Sequence, residues 1–144
     1  QDFAGRVSGI RAGGGGIFTY TGLLAAARGL EGSARANRHI VLFADADDAE
    51  EPGEYQALLA DLTENRGTTV SVVALGTDQG RDALFLQDVA ARGGGQIYFS
   101  EDAAELPRLF AQDTMLAARS SFVECGSISA ASDLPKLGQR SSTC

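Results

Sequence analysis

The sequence predicts an α/β fold: a mainly parallel sheet with helices on both faces. Three observations predict it. Three short runs rich in β-branched and aromatic residues are each bounded by turn residues. Helical patterns alternate with them along the chain, the order from which parallel sheets with right-handed crossovers are built. The first two runs are apolar on both faces, as strands are when helices cover both sides of the sheet.

Taken in order, a glycine run (Gly13 to Gly16) opens onto "TYTGLLAAARGLEG", where Leu23, Leu24, Ala27 and Leu30 recur at helical spacing. Thr19 or Thr21 suits its N-cap and Gly32 its end. "HIVLFAD" (His39 to Asp45) reads as the first strand. "EPGEYQALLADLTENRG" sets Tyr55, Leu58, Leu59 and Leu62 on one stripe, with Pro52 at the entrance and Gly67 past the exit. "TTVSVVALG" (Thr68 to Gly76) is the second strand. "GRDALFLQDVAARGGG" repeats the helical design with Leu84, Phe85, Val89 and a glycine stop. "GQIYFS" (Gly95 to Ser100) is the third strand. "DAAELPRLFAQDTMLAAR" offers Leu106, Leu109, Phe110 and Met115, with Pro107 in the first turn and Asp102 or a neighbour as cap. Phe18 and Tyr20 read as core. From Ser120 the composition turns Ser-rich. "SFVECGSIS" is a candidate extra strand, and residues 123–144 read as an exposed or partly ordered tail after a domain spanning 1–122.

Composition removes several function classes. A net charge of −7 with no basic patch argues against a nucleic-acid partner, because phosphate binding requires clustered cations. Arg28, Arg35 and Arg38 form only a modest basic group, read as a solvated helix face. No apolar run approaches the roughly 20 residues of a membrane span, and the first ten residues show neither a basic nor an apolar signal region. The chain starts without Met, which suggests a processed or excised piece whose localisation signals lie on a parent protein. Two cysteines, Cys125 and Cys144, lack the spacing of a zinc site.

The glycine run is no phosphate loop, since no Lys-Ser/Thr follows it; it reads as a turn where the backbone passes close to another group. The lone histidine, His39, reads as a surface or hydrogen-bonded residue, having no Ser or Cys partner at recognisable spacing. The densest polar signal follows the first strand: Asp45, Asp47, Asp48, Glu50 and Glu51. Asp47 and Asp48 read as loop and helix-cap residues, and Asp78 and Asp82 as turn and helix-entry residues.

A glycine run leading into "YTGLLAAARGL", a strand ending "LFADADD", then "VSVVALG", then "DVAARGGGQIYFSEDAAELPRLFAQDT" together resemble the second half of a von Willebrand factor A (vWA) domain. The likeness is to the bacterial type found in large membrane-anchored proteins and covers Val7 to Phe122. It implies a Rossmann-like three-layer sandwich truncated to about half of such a domain, with a metal-ion-dependent adhesion site at the carboxyl ends of the strands. Such a site holds Mg²⁺ on oxygen ligands, completed by a partner's carboxylate. Asp45 matches the Asp of the family's Thr-Asp-Gly, with Ala44 and Ala46 in place of Thr and Gly. Ile17 falls where the metal-binding Thr belongs, leaving Thr19 or Thr21 as substitutes. Asp-x-Ser-x-Ser, which would precede this chain, is missing.

The resemblance implies a non-catalytic protein-interaction module with a degenerate metal site and no cofactor, or Mg²⁺ at Asp45. Two alternatives stand beside it. One is a Mg²⁺-dependent phosphoryl-transfer or hydrolytic domain using Asp45 and Asp47. The other is an assembly element. In the family the first strand lies beside the fourth, here His39–Asp45. Without that neighbour Val41 and Phe43, followed by Asp47 and Asp48, form an exposed edge. Self-association through strand 39–45 is therefore expected, unless the N-terminal segment or the tail covers it.

Overall fold

A computed structural model describes residues 16–35 and 37–127 of the chain. β1 (Ile17–Phe18) leads into α1 (Thr19–Gly29), β2 (Arg38–Asp45), β3 (Ala49–Glu50) and α2 (Tyr55–Ala60), which widens into a π-helical turn (Asp61–Asn65). β4 (Thr68–Leu75), α3 (Ala83–Arg92), β5 (Gly94–Ser100) and α4 (Leu106–Ser127) complete the order, with a 3₁₀ turn (Ala103–Glu105) before α4. The predicted alternation is therefore present. The main sheet has the order β2-β4-β5, all parallel, with β4 in the centre. A second sheet pairs only the two-residue strands β1 and β3, which apolar runs alone do not reveal.

β4 explains why the sheet is doubly covered. Val70, Val72, Val73 and Ala74 are essentially inaccessible, so both faces of this strand lie in the interior. Even-numbered strand residues Ile40, Ala44, Val70, Val72 and Ala74 pack with Leu23 and Ala27 of α1, Leu59 of α2, Leu62 of the π turn, and Leu86, Val89 and Ala90 of α3. On the odd-numbered face, α4 supplies Leu109 and Asp113, both buried.

Several sequence expectations are corrected here. Neither Thr19 nor Thr21 caps α1: Phe18 occupies the cap position without a side-chain bond. Phe18 is exposed rather than core, because β1 pairs only with β3 at the molecule's rim. Leu84 points outward and Leu86 takes its place in the core, since the stripe of α3 is set by Ala83, Leu86, Val89 and Ala90. Phe110 and Met115 are also exposed, because α4 lies over β4 and β5 and leaves the β2 side of that face thinly covered. Arg38 belongs to β2, not to a helix face. No strand forms at Phe122–Ser127: between Pro107 and Gly126 no helix breaker intervenes, and α4 runs through. The cap expected at Asp102 is present, its Oδ1 accepting from the Ala104 N–H at 2.8 Å. Gly13 to Gly15, and the tail beyond Ser127, lie outside the described residues.

Close packing at β5 sets opposite expectations for two glycines. A Cβ on Gly95 would sit 2.3 Å from the Val70 carbonyl oxygen, whereas one on Gly22, in α1, would meet nothing within 4 Å. Urea unfolding should show Gly95→Ala destabilised by about 1–3 kcal/mol through overpacking. Gly22→Ala should be stabilised by up to about 1 kcal/mol through helix propensity.

Candidate functional site

The acidic turn after β2 is built from short-range backbone needs. Asp45 ends the strand, and its Oδ1 accepts from the Asp47 N–H at 2.9 Å, closing a turn around Ala46. Ala46 is fully buried. Its N–H donates to the Leu75 carbonyl at 2.8 Å, and its own carbonyl accepts from the Asp82 N–H at 2.7 Å. The loop after β4 comes close enough for this because it carries glycine: a Cβ at Gly80 would lie 2.7 Å from the Ala46 carbonyl oxygen. Asp47 Oδ1 accepts from the Arg81 N–H at 2.8 Å, and the Arg81 guanidinium donates to the Asp47 carbonyl. Asp82 Oδ2 accepts from the Ala49 N–H at 3.1 Å.

These acids therefore lace the loop after β2 to the loop after β4. Neither Asp47 nor Asp48 caps a helix, because the chain enters β3 instead of a helix at Ala49. The other residues expected at a metal site are also placed. Thr19 is buried, with its hydroxyl 3.5 Å from the Ile17 carbonyl. The Thr21 hydroxyl donates to Glu51 Oε2 at 2.8 Å. Ile17 forms β1 and offers no oxygen from its side chain. Among the described residues no group of three or more His, Cys, Asp or Glu side chains converges as ion ligands would. Mg²⁺ demands near-octahedral oxygen ligation, and side chains that do not converge on one point do not fit it.

A second polar cluster lies at the opposite, amino-terminal ends of the strands. His39 and Thr69 are register partners across β2 and β4. His39 Nδ1 lies 2.7 Å from Thr69 Oγ1, and Nε2 lies 2.7 Å from Asp113 Oδ2 of α4. With Asp113 accepting from Nε2–H, the Thr69 hydroxyl donates to Nδ1. The Tyr98 hydroxyl is buried beside Asp113 without a well-formed hydrogen bond, and Arg38 Nε is buried without a partner. Burial, and then the Asp113 carboxylate, raise the Tyr98 pKa above its ordinary value. Arg38, His39, Thr69 and Asp113 line an open cavity of about 850 Å³ between α4 and the amino-terminal parts of β2, β4 and β5, with Arg35 also in its wall.

The hydroxyl–imidazole–carboxylate sequence is that of acyl-transfer triads. Here, however, the Thr69–His39 contact follows from strand pairing alone, and open α/β sheets place ligands at the carboxyl ends of their strands. These bonds tie α4 to the sheet: its buried carboxylate is satisfied by the strand it covers. His39 is thus hydrogen-bonded, as its position suggested. Asp113 was missed. It stands one helical turn after Leu109, a polar residue on an apolar stripe, and that is the signal that could have found it.

The β2 edge completes the picture. Among the described residues β2 is hydrogen-bonded to β4 on one side and has no strand neighbour on the other. Val41 and Leu42 are half-buried, and Phe43 is 46% exposed, its ring 6.0 Å from that of Phe110. No helix of the described residues is long and apolar enough to cross a membrane. The chain matches no protein-family model, no curated protein and no solved structure.

Removing the anchor should be costly. Asp113→Ala removes the acceptor for His39 and the neighbour of the buried Tyr98 hydroxyl, and should destabilise by about 1–3 kcal/mol in urea unfolding. Asp113→Asn should keep the fold and lower the Tyr98 pKa in a spectroscopic titration, though not to the ordinary value, since burial is the larger cause. The sign follows from linkage. A raised folded pKa gives Tyr98 a stabilising contribution that is full below about pH 10 and lost as pH climbs through the folded value.

Proposed function

We propose that this chain is a non-catalytic protein-interaction module of vWA-like design that binds through the edge of β2, with no metal ion required. The observation that carries this reading is the edge itself: an eight-residue strand, apolar at five consecutive positions from Ile40 to Ala44, hydrogen-bonded along one side only among the described residues. Unpaired N–H and C=O groups along such an edge are a template for an added strand. Exposed Phe43 and Phe110 supply apolar contact beside it. Self-association is the homotypic form of this binding.

The vWA reading also rests on the position of Asp45 at the carboxyl end of β2, where that family holds its metal. The commitment of Asp45, Asp47, Thr19 and Thr21 to local bonds favours a degenerate site over one that recruits Mg²⁺. The same commitments weigh against phosphoryl transfer through Asp45 and Asp47.

Light scattering across a concentration series tests the reading. The wild type should show a mass above 15.0 kDa that rises with concentration, and Phe43→Arg should return it to the monomer. Added Mg²⁺ should shift neither the mass nor the thermal midpoint, since a ligand raises the midpoint only by binding the folded state. A monomeric wild type at every concentration, or a Mg²⁺-dependent rise removed by Asp45→Ala, would overturn it.

A further inference from the structure

The β2 edge is electrically polar along its length. Its amino end carries Arg35, exposed, and Arg38, half-buried with an unpaired Nε. Its carboxyl end runs into Asp45, Asp47, Asp48, Glu50 and Glu51. Neither Arg35 nor Arg38 forms an ion pair among the described residues. Two copies set side by side with strands parallel would bring like charges together at both ends. Set antiparallel, each basic end meets the other copy's acidic turn.

Resting on the reading above that β2 is the binding edge, we propose that its partner is a second copy of this chain, joined by antiparallel β2–β2 pairing about a two-fold axis normal to the sheet. The two three-stranded sheets then form one continuous sheet of six. Such an axis keeps each face of the sheet on its own side, so residues that oppose one another must both be even-numbered or both odd-numbered. Two central registers satisfy this. With Val41 on the axis, Arg38 opposes Ala44 and His39 opposes Phe43, setting polar against apolar. With Leu42 on the axis, Val41 opposes Phe43, Ile40 opposes Ala44 and His39 opposes Asp45.

The second register is the one the side chains fit. Apolar residues meet apolar residues across the centre, where cross-strand pairs stabilise a sheet. The thinly covered odd-numbered face gains Val41–Phe43 contacts twice. The acidic turn of each copy comes to the mouth of the other's cavity, beside Arg35 and Arg38. Opposite charges there also select the antiparallel orientation, since like-charge juxtaposition penalises the alternative.

Charge exchange tests the arrangement. One variant carries Arg35→Glu and Arg38→Glu; a second carries Asp48→Lys and Glu50→Lys. Each alone should self-associate at least about ten-fold more weakly than wild type in sedimentation. An equimolar mixture should recover wild-type affinity as a heterodimer, because both ends are then complementary. Arg35→Glu alone, at an exposed site, is the check should the double variant melt early. In a Cys125→Ser, Cys144→Ser background, Leu42→Cys should form an intermolecular disulfide and Val41→Cys should not. Unchanged association of the charge variants, or no recovery on mixing, would overturn the pairing. If Phe43→Arg still dissociates the wild-type oligomer in that case, the edge remains the binding site and only its orientation fails. A monomeric wild type would overturn both.

Discussion

A strand buried on both faces needs a hydrogen-bonded neighbour on each side and a helical layer above and below, and β4 is the described strand that has all four. The rest of the molecule is arranged to supply them. β2 aligns with it residue for residue from Arg38 to Asp45, and β5 from Val70 onward with one irregularity near Ser71. That irregularity lies where Gly93 and Gly95 allow the β5 backbone to crowd Val70. The even-numbered face is closed by α1, α2 and α3. The odd-numbered face has α4, centred over β4 and β5. Among the described residues β2 is therefore held by one neighbour and covered well on one face only, and its exposed Phe43 is a consequence of that geometry, not a local anomaly.

The two ends of the sheet use polar groups differently. At the carboxyl ends, carboxylates accept from backbone N–H groups and tie the turn after β2 to the loop after β4. This explains Asp45 and Asp47 at the end of β2: short acidic side chains are the acceptors that tight turns need. At the amino ends, one carboxylate, Asp113 of α4, is buried, and its partner His39 comes from β2, 74 residues earlier in sequence. Such a pair fixes where α4 sits, because an unpaired buried charge is far more costly than a missed apolar contact.

The fold was largely legible. The strand at "TTVSVVALG" shows because continuous burial demands continuous apolar sequence, and the helices show because their stripes repeat at 3.6 residues. What could not be read is what depends on neighbours distant in sequence. Leu84 and Met115 satisfy a helical stripe as well as Leu86 and Leu109 do, and only the placement of the sheet decides between them. β1 and β3 are too short to leave a pattern. The helix through Ser120 to Ser127 was hidden by Ser-rich composition, although no breaker interrupts it before Gly126. At the candidate site, an exposed β2 edge was expected only from the strand order that the vWA resemblance implies, not from the residues of the strand. The roles of Asp47, Asp82 and Asp113 were not legible, since each bonds a group more than 30 residues away.

If β2 is the binding edge, its outer side is open in the single chain and closed by another. Amide hydrogen exchange along Arg38–Asp45, followed as the protein is diluted, measures this directly. The β2 amides turned away from β4 should exchange rapidly at low concentration and become protected as concentration rises, while those bonded to β4 stay protected throughout. Protection of the outward amides that does not change on dilution would mean the chain covers its own edge, contradicting closure by a second copy.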